Sequence, residues 1–302
     1  MSLACLILLA AFPATAGEWD AADSTALGLA RTAAASRPDF RIEGTRGAWF
    51  RKVVSPEDAA FDGIEGWGVL PKPVFDPARE HQAASGEPAF MTGPLDRPDI
   101  YLGLHADGAE VDAGLTWDHV YDSAGRDTGE FAYRVYWRTS KGGWRNPEAG
   151  AADNLYLRPG DRFALTLRAN PDGTARLAVR RAGRHGTSAG YAFAVPGLLR
   201  EDGSMKPVSF KRVHSIDQFR IEGGRRRGNE NHAALATRAR LGGGRWEGVH
   251  LLRGDDVRRQ FSGAAAIVSR GVDSLDRYRE IFPKAGVGEG GAEEMLILPP
   301  RS

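Results

Sequence analysis

Hydrophobic and polar positions alternate most regularly between Ala109 and Asp118. Ala109, Val111, Ala113, Leu115 and Trp117 fall on one side of an extended chain, and Glu110, Asp112, Gly114, Thr116 and Asp118 on the other. A period of two marks a half-buried strand, with one face for a core and one for solvent or a ligand. The run 131–139 divides in the same way, with Phe131, Tyr133, Val135 and Trp137 against Ala132, Arg134, Tyr136 and Arg138. Strand 161–169 sends Phe163, Leu165 and Leu167 to one side and Arg162, Thr166 and Arg168 to the other. Further strands are predicted at 100–105, 153–158, 174–181, 189–195, 208–221, 233–241 and 245–252. Arg158-Pro159-Gly160-Asp161 and Asn170-Pro171-Asp172-Gly173 supply tight turns between alternating runs.

Elsewhere the pattern changes. Asp20–Ser36 is alanine-rich and predicts a helix, closed by Arg37 and Pro38. Val272–Phe282 predicts a second, capped by Asp273 or Ser274 and ended by Pro283. Short strands are expected over 40–54. Pro71–Pro98, with six prolines, reads as a long loop wrapped over the surface. Successive strands without intervening helices predict an all-β fold, a two-sheet antiparallel β-sandwich of concanavalin-like jelly-roll type with short terminal helices. The expected boundaries are a signal peptide over 1–16, a wrapping N-terminal region over 17–98, the sandwich over 99–255, and a helix and tail over 256–302.

Composition narrows the setting. The 302 residues are 42% hydrophobic, enough for a substantial core. A net charge of +1 gives no ground for a nucleic-acid partner. Leu3–Phe12 is a short apolar run followed by Ala14-Thr15-Ala16, the pattern of an h-region and cleavage site. Ten apolar residues fall short of the roughly 20 needed to span a bilayer, so no membrane segment is expected after cleavage. The expected location is therefore periplasmic or secreted. The single cysteine, Cys5, lies inside that leader, and a mature chain without it has no thiol chemistry or disulfide.

Candidate chemistry gathers on the polar face of 109–118. Carboxylates at strand spacing act as acid and base when their surroundings separate their pKa values. If Arg134 and Arg138 lie opposite Asp112 and Glu110, the same face becomes an ion-pair ladder or a ligand groove. Tyr136 and Trp144 are the aromatic candidates for a ligand surface, whereas Trp117, Tyr133 and Trp137 fall on the core side. A second cluster holds His214, Asp217 and Gln218 within Ser209–Glu222. The three arginines of Gly223–His232 read as a solvated tip. No cofactor is expected; Asp107, Asp112, Asp118, Asp122 and Asp127 leave Ca²⁺ as the candidate metal. There is no GxSxG, P-loop, Rossmann or HExxH motif.

The order of segments resembles the glutamic peptidases, or eqolisins. YLGLHADG precedes Asp112-Ala113-Gly114-Leu115; FAYRVYWR, the Pro-Gly-Asp turn and RFALTLRA follow; then come Ile216-Asp217-Gln218-Phe219 and the pair ATRARL and WEGVHLL. The resemblance implies the sandwich fold. It places Asp112 where the family has its catalytic Gln and Asp217 where it has its Glu. The leading expectation is an exported sandwich that binds an extended glycan or peptide in a sheet groove, with Glu110, Asp118, Arg134, Tyr136, Arg138, Trp144, His214 and Gln218 as contacts. The alternative is an acid hydrolase, either peptidase or glycosidase, that uses Asp112 and Asp217.

Overall fold

The computed structural model describes residues 40–42, 46–55, 61–82, 91–182, 186–229, 231–254, 257–261, 266–285 and 291–299. The predicted signal peptide and the helix over 20–36 lie outside the described residues. In chain order the strands begin with β1 (Phe40–Ile42), β2 (Trp49–Val54), β3 (Gly63–Val69), β4 (Lys72–Val74), β5 (Glu80–His81), β6 (Gly93–Pro94), β7 (Asp96–Ala106), β8 (Ala109–Tyr121), β9 (Asp127–Thr139) and β10 (Gly143–Arg145). They continue with β11 (Tyr156–Leu157), β12 (Arg162–Ala169), β13 (Thr174–Arg181), β14 (Ser188–Ala194), β15 (Ser209–Glu222), β16 (Arg225–Gly228), β17 (Arg240–Arg253), β18 (Val257–Gln260), β19 (Ala266–Arg270) and β20 (Glu293–Ile297). The helix α1 spans Leu275–Ile281.

Two large sheets form a β-sandwich. The first runs β1-β19-β2-β15-β7-β8-β9-β10, with β11 added beside β9 and β16 beside β15. The second runs β14-β13-β12-β3-β17-β18, with β20 and β4 also paired to β17. Pairing is antiparallel except for β1 beside β19. The inward positions of each alternating strand meet in one core: Ile100, Leu102 and Leu104 of β7, Val111, Ala113 and Leu115 of β8, and Phe163, Leu165 and Leu167 of β12. Gly160 and Gly173 take the positive φ that the two predicted turns require.

The structure also departs from the sequence reading. Pro71–Pro98 is not a plain loop, for it contains β4, a 3₁₀ turn at Pro77–Arg79, β5 and β6, and the start of β7. Strands outside 99–255 belong to the sandwich: β2 and β19 lie inside the first sheet, and β3 is central in the second. The glycines of β3 answer to packing. A Cβ on Gly66 would stand 2.8 Å from Trp246, which is fully buried on the neighbouring strand β17. The terminal helix forms as expected, with the Ser274 hydroxyl accepting from the Arg277 amide at 3.2 Å. No helix among the described residues is long and apolar enough to cross a membrane.

Candidate functional site

The face of the first sheet turned away from the core carries a groove of about 1120 Å³. Register determines what lies along it. Tyr101 of β7 pairs with Gly114 of β8, which pairs with Tyr136 of β9. One step along, Lys211 of β15 pairs with Gly103, Gly103 with Asp112, and Asp112 with Arg138. Phe50, Lys52 and Val54 of β2, the next strand beyond β15, continue the lining.

The two glycines make this arrangement possible. A Cβ on Gly103 would run into the Lys211 side chain, and one on Gly114 would lie 2.5 Å from the Ile100 oxygen and 2.7 Å from Tyr101 Cβ. Lys211 therefore crosses β7 to reach two carboxylates, Glu110 and Asp112, each at 2.6 Å. Arg138 approaches Asp112 from the other side at 4.0 Å. Burial disfavours the Lys211 charge, but Asp112 and Glu110 outweigh it and hold the ammonium above its usual pKa. Lys211 in turn keeps Glu110 below the usual carboxylate range. At this end of the groove the predicted ion-pair ladder is present, with a buried lysine at its centre that the sequence reading did not single out.

The other end holds Asp217, half-buried, and Asp99, only 1% exposed. Asp99 pairs in register with Ser215 and Asp217 with Arg97, so the two aspartates are diagonal neighbours on one face. Burial raises Asp99 well above the ordinary aspartate pKa; Arg97 opposes that rise and the Asp217 charge adds to it. Burial likewise raises Asp217, with Arg97 opposing and Asp112 adding. Tyr101, half-buried between the two ends, is pushed up by desolvation and then by Asp112 and Asp217.

Arg97 is held in a column of stacked groups. Tyr136 and Trp144 stack at 4.1 Å and 6°. The Arg97 guanidinium covers the other face of Trp144 at 4.2 Å and also lies 4.5 Å from the Phe219 ring. Arg226 lies 4.6 Å from Phe219. Five side chains from β9, β10, β7, β15 and β16 thus form the column around the cation that stands 3.7 Å from the Asp99 carboxylate.

The remaining candidates are placed as follows. Glu110, Asp112, Tyr136, Arg138, Trp144, Asp217 and Gln218 all border the groove. Tyr136, expected as a surface ring, is 2% exposed beneath Trp144. The Gln218 amide is engaged by the Leu235 backbone in both directions, at 2.9 and 2.7 Å. Arg134 and Asp118 pair with each other at 3.5 Å further along the sheet, where Arg134 also binds Asn154 and the Pro147 carbonyl. His214 does not face the groove. Its ring turns inward against Phe282, and burial, reinforced by Arg51 and Arg212, drives its pKa down to about 3. The pairing of β15 with β7 runs without a register shift, so His214 falls on the face opposite Lys211 and Asp217.

Among the described residues no group of three or more His, Cys, Asp or Glu side chains could hold a metal ion. Of the aspartates considered for Ca²⁺, Asp112 pairs with Lys211, Asp118 with Arg134, Asp122 with Arg126 and Asp127 with His119. The arginine-rich segment forms the β15–β16 hairpin, with Arg226 turned toward Phe219 and the Pro94 carbonyl.

No family model matches this chain, and no curated protein does. Solved structures similar to it include scytalido-glutamic peptidase bound to a peptide-based transition-state analogue, at 9% identity over 83% of this chain and 98% of that one, with a TM-score of 0.49. SCP-B, an eqolisin-family peptidase in complex with the tripeptide Ala-Ile-His, gives 9% identity over 83% and 98%, with a TM-score of 0.48. An alginate lyase from Klebsiella pneumoniae gives 10% identity over 72% and 67%, with a TM-score of 0.34. Likenesses this distant say nothing about activity or ligand, and those questions rest on the groove itself.

Proposed function

We propose that this protein binds an extended peptide across the groove of its first sheet. The observation that carries the reading is the make-up of the groove. Five adjacent strands from β2 to β9 floor it, about 19 Å at about 4.8 Å per strand, room for roughly six extended residues. Charges of both signs stand at intervals along it, which suits a backbone of amides with mixed side chains. A glycan would need free ring faces. Here the rings of Phe50, Tyr101, Tyr136, Trp144 and Phe219 each carry a cation or another ring. The leader-like segment at Leu3–Phe12 supports an exported protein and hence an extracytoplasmic peptide.

A second reading, an acid hydrolase acting on the same peptide, is favoured by one observation: Asp99 and Asp217 are diagonal neighbours on the groove face, and burial raises both above the ordinary aspartate range. Asp112 suits that chemistry less well, with Lys211 at 2.6 Å and Arg138 at 4.0 Å. Calorimetric titration with peptides of reduced, carboxymethylated casein and, separately, with alginate oligosaccharides tests the binding reading. Casein peptides are expected to bind and to lose at least tenfold in affinity on Tyr101→Ala or Arg138→Ala. Binding of alginate with none of casein would overturn it.

A further inference from the structure

We propose that the interior of the sandwich holds a small monovalent anion, with chloride the natural case, bound by the guanidinium groups of Arg51 and Arg212. The site is separate from the groove and independent of what binds there.

Register brings the two arginines together. Arg51 of β2 pairs with His214 of β15, and Arg212 is the next residue of β15 on that face, so Arg51 and Arg212 are diagonal neighbours. Trp49 and Val53 flank Arg51 on the same side of β2, and both belong to the hydrophobic core. The two arginine side chains are within 1% of complete burial. Glu293 of β20 enters from the other sheet, with one carboxylate oxygen on Arg51 Nε and the other on Arg212 Nη2. The two guanidinium groups therefore stand around one carboxylate. Arg51 Nη1 donates to the Tyr278 hydroxyl.

Charge and hydrogen bonding then point the same way. An arginine is not deprotonated inside a protein, so the cluster carries two positive charges. Glu293, held ionised by both arginines, supplies one negative charge. His214 adds none, because burial, reinforced by Arg51 and Arg212, keeps its pKa at about 3. Tyr278, pushed up to about 12, is neutral as well. Among the described residues the charges acting on Arg212 are those of Glu293 and Arg51. One positive charge is left over in an interior where an isolated ion is strongly disfavoured. Arg51 Nη2, Arg212 Nε and Arg212 Nη1 are also buried, and they meet no acceptor among the described residues. Water would take up these N–H groups and leave the charge. An anion accepts them and cancels the charge together. Full enclosure and a single excess charge select a small monovalent ion over phosphate or sulfate.

The test is thermal unfolding of the full chain, dialysed free of halide, at rising chloride with ionic strength held constant by sodium gluconate. The wild-type midpoint is expected to climb by about 2–4 °C per tenfold rise in chloride above the dissociation constant, as binding to the folded state alone requires. In Arg212→Met one arginine faces one carboxylate, so that slope is expected to vanish. The wild type's advantage over this variant is expected to shrink as chloride is withdrawn. A wild-type midpoint indifferent to chloride would overturn the proposal, as would an unchanged slope in a folded Arg212→Met. Wild-type crystals grown in sodium bromide give a second reading that needs no variant. Anomalous scattering at the bromine edge is expected beside Arg51 and Arg212. Bromide at the protein surface alone, an adventitious ion only, would overturn the site, and so would a water in its place.

Discussion

Replacing Glu293 by Gln should weaken the sandwich more than most single substitutions. Glu293 opens β20 in the second sheet, and its carboxylate reaches across the core to two arginines of the first sheet. It pairs with Arg51 of β2 and with Arg212 of β15, the latter at 2.6 Å, and all three side chains are within 1% of complete burial. Tyr278 of α1 accepts a further hydrogen bond from Arg51. Burial opposes ionisation of Glu293, but Arg212 and Arg51 outweigh it and hold the carboxyl below its usual range. The Glu293→Gln variant would leave two guanidinium groups in the core without a counter-charge. Removing one partner of a buried pair costs about 3–5 kcal/mol, against a total stability of about 5–15 kcal/mol. With an m-value of about 3 kcal/mol/M, the urea midpoint should fall by about 1–1.7 M at unchanged slope. The group also carries a pH dependence of known sign. Its folded pKa is depressed, so its stabilisation is present above the unfolded value of about 4.3 and is lost as pH falls through the folded value. The variant should lack that acid limb. Replacing all three residues by apolar ones of similar volume should recover much of the loss. A midpoint shift below about 0.3 M in a natively folded variant, under about 1 kcal/mol at the same slope, would refute the inter-sheet ionic tie.

Three other outcomes follow from the same geometry. Lys211→Met should destabilise by up to about 3 kcal/mol, discounted because Glu110 is 46% exposed, and chemical denaturation reads this directly. Gly114→Ala should cost about 1–3 kcal/mol through overpacking, because its methyl meets the β7 backbone at 2.5 Å; it should also reduce casein-peptide affinity by displacing Tyr101. Asp99 has a raised folded pKa, so its contribution is full below the unfolded value and is lost as pH rises through the folded one. Asp99→Asn should therefore improve in stability relative to wild type between pH 4 and pH 8, as measured by thermal unfolding at each pH.

The half-buried strands were legible because a single buried face imprints a period of two. β8, β9 and β12 all read that way, and the Pro-Gly-Asp and Asn-Pro-Asp-Gly turns marked the two ends of β12. Where both faces are covered the period disappears. β15 has the core on one side and the groove on the other, so burial covers both faces of its first eight residues and His214 turns inward. β3, reading GIEGWGV, has poor strand propensity, and its glycines make sense only beside the strands that crowd them, β12 at Gly63 and β17 at Gly66 and Gly68. The groove was half legible. Asp112, Arg138 and Asp217 stood out as charges on alternating strands. Asp99, Arg97 and Lys211 did not, because their roles arise from pairing between β7, β8 and β15, residues about 100 positions apart in the chain.

If the outer face of the first sheet receives an extended peptide, backbone protection must rise there and nowhere else in the sandwich. Amide hydrogen exchange of the full chain, with and without peptides of reduced, carboxymethylated casein, reads this directly. New protection is predicted in β2, β7, β8, β9 and β15 and along the β15–β16 hairpin, with β12, β13 and β14 of the second sheet unchanged. Protection confined to the second sheet, or none at saturating peptide, would contradict peptide binding in the groove.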